Sequence, residues 1–424
     1  MCSSDLCDLT SKPPNSWPAK RYARPPHRLK TDSRRPTHES RRMKAEFIAQ
    51  CAAITGEHNL LLGDHMSAYL TDWRRRFTGR ALAVVRPGDT AEVAEIVRLC
   101  KQHRVPIVPQ GGNTSLVLGS VPDYSGAAIV LSLSRLNRVR AIDTLNDTLT
   151  AEAGCLLQHV QEQASAAGRL FPLSLASEGS CTIGGNLSTN AGGTAVLRYG
   201  SMRELTLGLE VVTPAGDIWN GLRGLRKDNT GYDLRDLFIG AEGTLGIITS
   251  AVLKLFPRPA ANAVAWLAVP SPEAALELFS MMRECFGDRI TGFELISRVC
   301  LDLVLKHIPG TRDPLAQPHG WYVLTEVGDS TTDASIRAEL ESVLEKAMEK
   351  SLVIDATIAE SQARAQALWK IRETIPEACR DEPGMLYRHD IAVAVGKVPQ
   401  FIKDGEAALI KHLDRKSTRL NSSH

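Results

Sequence analysis

The sequence predicts an α+β protein in which two small α/β lobes share one anion-binding site and a second α/β domain follows. Three observations carry that expectation. Two glycine-rich stretches bearing Asn and Thr each emerge from a strand pattern, at 108–120 and 174–193. Strand and helix patterns alternate around them. The alternation resumes from 263 to 395, beyond Pro257 and Pro259, which mark a domain boundary.

Residues 1–44 are rich in Pro, Ser and Arg and lack hydrophobic periodicity, so they read as a disordered or artefactual leader. MCSSDL at the start and RKSTRLNSSH at 415–424 read as translated adapter remnants. Met43 is then the candidate natural start, and the chain is expected to be cut short after Asp414. A helical segment occupies 45–76. ALAVVRP is a strand, and Asp89 with Glu92 makes a capping box opening a helix whose core stripe is Val93, Ile96, Val97 and Cys100. Strands at Val105–Val108 and 127–133 complete the first lobe.

The second lobe starts at LTAEAG, continues through a helix near 155–167 and the central glycine stretch, and reaches the strands LGLEVV and IITSAVLKL. Pro214 to Asp217 is a turn. The later domain contains AVAWLAV, a helix opened by Ser271, ITGFEL, a helix from Ser297, WYVLTEV, a helix over 332–349 and SLVIDATIA. SQARAQALWKIRETI is a helix expected to stop near Pro376, because proline lacks an N–H and clashes with the preceding turn. MLYRHDIAVAV is expected to be a strand with Arg388 and Asp390 on one face.

Ser174–Gly193 holds five glycines among Ser, Thr and Asn, with almost nothing to build a packed helix or strand. Glycine lets main-chain N–H groups turn inward and lets a ligand approach closely, so such a run can cradle a pyrophosphate. A solvated spacer is the alternative for one such stretch; a second, VPQGGNTSLVLGS, argues for two walls of one site. Neither matches GxGxxG or GxxxxGK[ST], which disfavours the usual nucleotide folds and an NAD-dependent enzyme.

The overall charge of +2 hides an asymmetry. Residues 1–44 hold eleven Lys/Arg against four Asp/Glu and 415–424 hold three against none, leaving 45–414 at −8. That body implies no nucleic-acid partner. No apolar run approaches membrane-spanning length. Nine cysteines without a CxxC suggest reduced cytoplasmic thiols and no thiolate metal site, and Cys181 reads as a packing residue.

PQGGNT at 109–114, EGSCTIGGNLSTNAGG at 178–193, RYGS at 198–201, LGLEVV at 207–212, LRKDNTGYDL at 225–234 and GAEGTLGIIT at 240–249 resemble, in order, the FAD-binding domain of the vanillyl-alcohol-oxidase (PCMH-type) superfamily. More narrowly they resemble its D-2-hydroxyacid dehydrogenase branch, which includes D-2-hydroxyglutarate and D-lactate dehydrogenases and the glycolate oxidase flavoprotein subunit. Ser115 departs from the Gly that the family usually carries there.

The resemblance implies a two-lobed PCMH-type domain over 77–257 and a ferredoxin-like substrate domain over 258–414, incomplete at its end. It implies FAD contacts from Pro109, Gly111, Gly112, Asn113, Thr114 and Ser115, and from Gly179, Ser180, Ile183, Gly184, Gly185, Asn186, Thr189, Asn190, Gly192 and Gly193. A third set is Glu242, Gly243, Gly246, Ile247 and Ile248. The FAD is expected to be non-covalent, since the 109–120 loop has no His or Cys.

Oxidising a 2-hydroxy acid needs a hydride acceptor, a base and a carboxylate clamp. Resemblance assigns the clamp to Arg372, whose planar fork suits a carboxylate, and a second carboxylate or polar group to Arg388, where the family has Lys. The base and a divalent metal such as Zn come, in the family, from later His-rich and Glu-His-Gly blocks; no metal ligand is assigned in this chain. The expected reaction is oxidation of a D-2-hydroxy acid, with electrons passed to an electron-transfer flavoprotein, cytochrome or quinone. A flavin-binding fragment without turnover and a same-fold transferase are the alternatives. A homodimer is the candidate assembly, which the sequence leaves open.

Overall fold

The computed structural model describes residues 38–329, 333–380 and 391–412. It divides into two units, Met1–Ala49 and Gln50–His424. Helix α1 covers His38–Thr55.

In the second unit, β1 (Leu60–Leu61), α2 (Ser67–Leu70), β2 (Val84–Val85), α3 (Thr90–His103), β3 (Ile107–Gln110) and β4 (Ile129–Ser132) build the first lobe. Its sheet has the order β1-β2-β4-β3, with β2 and β3 both parallel to β4. The capping signal at α3 is realised: Asp89 accepts from the Glu92 amide at 2.9 Å, and Glu92 accepts from the Gly88 amide at 2.7 Å. The stripe Val93, Ile96, Val97 and Cys100 is buried.

The second lobe contains β5 (Val139–Asp143), β6 (Thr148–Glu152), α4 (Leu157–Ala166), β7 (Arg169–Leu170), α5 (Ile183–Ser188), α6 (Val196–Tyr199), β8 (Thr206–Val212), β9 (Ile218–Gly221), α7 (Arg235–Phe238), β10 (Ile247–Lys254) and β11 (Phe256–Pro257). Five strands form an antiparallel sheet in the order β5-β6-β10-β8-β9. Leu209 and Val211 of β8 join a core with Leu157 and Val160 of α4 and with Ile183 and Leu187 of α5. The opposite face carries Glu210, which accepts from Thr90 at the start of α3 at 2.7 Å. Cover on both faces explains why every position of β8 is buried.

The central glycine stretch differs from its sequence reading, since α5 lies inside it. Thr182 is the N-cap, accepting from the Gly185 amide, and Ile183 and Leu187 present one buried face. A cap and two apolar residues one turn apart suffice to hold six residues helical against a core, despite the glycines.

The third sheet is laid down by β12 (Ala261–Val269), α8 (Pro272–Phe286), β13 (Ile290–Ser297), α9 (Arg298–His307), β14 (Trp321–Asp329), α10 (Asp333–Glu349) and β15 (Asp355–Ile358), followed by α11 (Gln362–Arg380) and α12 (Val398–His412). Its strand order is β13-β14-β12-β15, all antiparallel, which is the ferredoxin-like arrangement. Period-two alternation sorts the faces: Ala263, Ala265 and Leu267 pack with α8 and α10, whereas Val264, Trp266 and Ala268 pack with α9 and α11.

Helix α11 does not stop at Pro376; it runs on to Arg380 with the proline inside. Burial of Ile375, Ala378 and Cys379 against the sheet offsets the one helical hydrogen bond that proline removes. Of the strand expected at MLYRHDIAVAV, the part up to Asp390, including Arg388, lies outside the described residues. Ile391–Ala394 are not strand, and a 3-10 turn follows at Val395–Lys397.

Candidate functional site

The two glycine loops meet. A side-chain carbon on Gly112 would lie 2.0 Å from the Ser180 carbonyl oxygen, and one on Gly111 would lie 2.3 Å from Thr182 Oγ1. Only a residue without Cβ lets the main chain after β3 lie this close to the turn before α5. A third loop closes on the same place, where the Gly240 amide donates to Leu187 O at 2.9 Å and the Glu242 amide to Ser188 O at 2.9 Å. Gly243 rests against Pro109. Segments far apart in sequence therefore converge around α5, the first loop at its N-terminal turn and the third at its C-terminal end.

Three polar residues in these loops, Asn113, Asn190 and Glu242, have left-handed backbones. The two asparagines use their side chains to hold the turns. Asn113 donates to Thr71 O at 2.9 Å and accepts from Ser120, while Asn190 accepts from Ser201 Oγ and the Arg203 amide, each at 2.9 Å. Among the described residues, the amides of Gly112, Asn113 and Thr114 donate to no protein acceptor. Half-buried main-chain donors left in this way suit an anion such as a pyrophosphate, so the residues present fit a dinucleotide cofactor.

Other expected contacts divide by burial. Gly179, Ser180, Thr189 and Gly193 are exposed, and Ser115, Gly185, Gly192 and Gly246 are half-buried. Ile183 and Ile248 belong to the hydrophobic core, Ile247 and Gly184 are also buried, and Asn186 turns its amide to Cys181 Sγ. At these buried positions the side chains are occupied by protein.

The third sheet carries a buried polar group of its own. Pairing of Gly292 with Glu326 and of Glu294 with Leu324 puts both acids on the α9/α11 side. Arg372 of α11 donates from Nε to Glu294 Oε2 at 2.6 Å, with both side chains largely buried. One turn earlier, Trp369 donates from Nε1 to Glu326 Oε2 at 2.7 Å, and Thr291 donates to Oε1 at 3.0 Å. Burial pushes the Glu326 carboxyl up, against the pull of those two donors. Gly292 makes room for the Trp369 ring and lies near the Thr194 carbonyl.

The second lobe reaches the same corner. Arg198 in α6 donates to Gly328 O at 2.7 Å, and its guanidinium lies 5.2 Å from the Tyr199 ring centre. Desolvation is the main cause that pushes the Tyr199 phenol up, with Arg198 opposing it and Glu326 adding to it. Glu373, next to Arg372, is pushed up by desolvation and then by the like charge of Glu178 in the central glycine stretch. Gly292, under the Trp369 ring, thus brings the third sheet close to Thr194, just past the central glycine stretch.

Sequence reasoning singled out Arg372 and passed over Thr291, Glu294, Glu326, Trp369 and Tyr199, which lie around it or around Trp369, one turn earlier. A signal was present: ITGFEL and WYVLTEV each carry one acid inside an apolar strand, and a buried acid is nearly always paired. Among the described residues no group of three His, Cys, Asp or Glu could hold a metal ion, and no helix is long and apolar enough to cross a membrane.

Comparison with known proteins gives two domain matches, an FAD binding domain over residues 81–221 and an FAD linked oxidases, C-terminal domain over 258–421. Both domains expected from the sequence are therefore matched. A probable mitochondrial D-2-hydroxyglutarate dehydrogenase of Oryza sativa subsp. indica is 40% identical over 365 residues, covering 85% of this chain and 64% of the rice protein. The chain thus spans somewhat less than two thirds of that relative's length. The D-2-hydroxyglutarate dehydrogenase of Xanthomonas citri pv. viticola is 39% identical over 344 residues, 80% of this chain and 70% of the relative. Among solved structures, an alkyldihydroxyacetonephosphate synthase superposes with TM-score 0.66 at 20% identity, covering 89% of this chain and 79% of that one. Substrate-bound p-cresol methylhydroxylase superposes with TM-score 0.62 at 16% identity, covering 77% and 69%. These last two likenesses establish a shared PCMH-type fold.

Proposed function

The chain belongs to the FAD-linked oxidases, in the branch of the D-2-hydroxyglutarate dehydrogenases, and from that membership we propose that it oxidises a D-2-hydroxy acid to the 2-oxo acid. The substrate class is D-2-hydroxyglutarate or D-lactate. Bound FAD would accept the hydride from the substrate's Cα. The protein's share is to hold and orient. Main-chain donors at Gly112–Thr114 and the turn before α5 hold the cofactor without a covalent bond. Arg372 clamps the substrate carboxylate through its planar donors, and Arg388 holds a second carboxylate or polar group.

The observation that supports this reading is the place of Arg372 on α11, one turn after Trp369, whose ring packs over Gly292 near the Thr194 carbonyl that follows the glycine stretch. That neighbourhood supports reading Arg372 as a carboxylate clamp near the cofactor. In FAD-loaded protein, Arg372→Ala is expected to raise KM and lower kcat while flavin content is unchanged. Unchanged kinetics would remove Arg372 from the site. Yellow protein inert towards both acids would favour a flavin-binding chain without turnover.

The proposed electron acceptor is an electron-transfer flavoprotein, a cytochrome or a quinone, and the proposed assembly is a homodimer. A cytoplasmic location is proposed from the scattered cysteines; the rice relative is named mitochondrial, whereas the Xanthomonas name carries no compartment.

A further inference from the structure

We propose that Glu294 is a positioning residue that fixes the edge from which Arg372 grips a carboxylate, an inference that rests on Arg372 being the substrate clamp. A guanidinium offers a carboxylate two bidentate edges, the Nε/Nη side and the Nη/Nη end. Glu294 occupies the first, with Oε2 2.6 Å from Nε. Among the described residues Arg372 has no other hydrogen-bond partner, so the Nη pair is the two-pronged face that remains.

Glu294 is well placed to hold that direction. It projects from β13 between half-buried Phe293 and buried Leu295, its strand paired to β14 through Leu324. Its side chain is 8% exposed and that of Arg372 16%, so little water competes for the bond. The Glu326 bond to Trp369, three residues earlier on α11, anchors the same helix a second time. Two acids on adjacent strands therefore fix two successive turns, and with them the roll of α11 over the sheet.

The charge of Glu294 also makes an argument. A site selected only for affinity would leave Arg372 unpaired, since a fixed carboxylate on its guanidinium weakens attraction for an anionic substrate. An acid kept there despite that penalty is explained by alignment, where small displacements matter more than binding strength.

The test uses the FAD-loaded full chain with Glu294→Gln, Glu294→Ala and Arg372→Ala. Flavin content comes from the visible spectrum, the dissociation constant for oxalate from its perturbation of that spectrum, and kcat and KM from turnover of D-2-hydroxyglutarate. Both Glu294 variants are expected to keep flavin and to bind oxalate within about threefold of wild type. Their kcat falls about 10-fold for Gln, which still offers an oxygen to Nε, and about 100-fold for Ala. A kcat for Glu294→Ala within about twofold of wild type overturns the proposal, as does oxalate affinity falling in step with kcat. If the Ala protein loses flavin, the isosteric Gln variant decides by the same criteria. Arg372→Ala separates the two levels: oxalate binding unchanged there removes the clamp itself, whereas weakened binding with silent Glu294 variants removes only the positioning role.

Discussion

Trp369 gives its indole N–H to Glu326 at 2.7 Å, and the two residues pin α11 to β14 at the corner where the third sheet approaches α6. Glu326 sits inside an otherwise apolar strand, so its ionised form exists there at a cost that two hydrogen bonds offset only in part. The stability of this corner therefore depends on pH.

Glu326→Gln is expected to stabilise the protein in alkaline solution. The folded carboxyl is held above its ordinary range, so its contribution to stability is fully present below the ordinary carboxylate pKa and is lost as pH rises through the folded value. Glutamine keeps an acceptor for Trp369 and a partner for Thr291 without titrating. The melting temperatures of variant and wild type should converge near about pH 4 and separate in the variant's favour by about pH 8. A gap that is flat across that range would show that Glu326 is not the titrating group.

Glu152 should behave in the opposite sense. Burial pushes its carboxyl up, but hydrogen bonds from Arg138 and Arg140 outweigh burial and leave it below the usual range. Arg140 also donates to Glu210 at 3.2 Å, so one guanidinium joins β6 to β8. The stabilisation is present above the unfolded pKa and vanishes as pH falls through the folded one. Glu152→Gln should cost about 1–3 kcal/mol at neutral pH, because charged donors lose their acceptor, and almost nothing in acid. Denaturant unfolding at the two pH values checks it; equal losses at both would refute the pairing as the cause.

Local rules were legible wherever one chemical cause dominated. The Asp89/Glu92 box and the stripe on α3 each report a single preference, and each formed as written. Failures came where tertiary burial competed with a local rule. Glycine argued against helix at 183–188 and proline argued for a stop at 376, yet both segments bury apolar residues that outweigh those preferences. The meeting of the two glycine loops was readable because glycine composition is itself the signal of a close main-chain approach. The acids behind Arg372 and Trp369 were not, because strand registry decides which acid meets which helical turn.

Gly112→Ala should abolish flavin retention. Its new carbon would lie 2.0 Å from the Ser180 carbonyl oxygen, so one of the two loops must move, and the amides of Gly112–Thr114 move with it. Gly320→Ala serves as the control, since nothing lies within 4 Å of the carbon it adds. Flavin released on denaturation, measured per mole of protein, should drop about tenfold or more in the first variant and stay at wild-type level in the second. A fully loaded Gly112→Ala protein would place the cofactor elsewhere.

Pro376 lies four residues after Arg372, so the Arg372 carbonyl lacks the helical amide it would otherwise receive. That defect falls on the turn that carries Arg372, the proposed clamp, and a missing bond with a ring pressed on the preceding turn bends a helix locally. Pro376→Ala restores the amide and should raise stability by about 1 kcal/mol, the helical gain being partly offset by the freer unfolded chain. Straightening the turn also shifts the guanidinium against Glu294, so KM for the hydroxy acid should rise about threefold or more although the fold is firmer. Thermal unfolding and steady-state kinetics on the same preparation separate the two effects. A more stable protein with unaltered kinetics would mean that the bend at Pro376 plays no part in aiming Arg372.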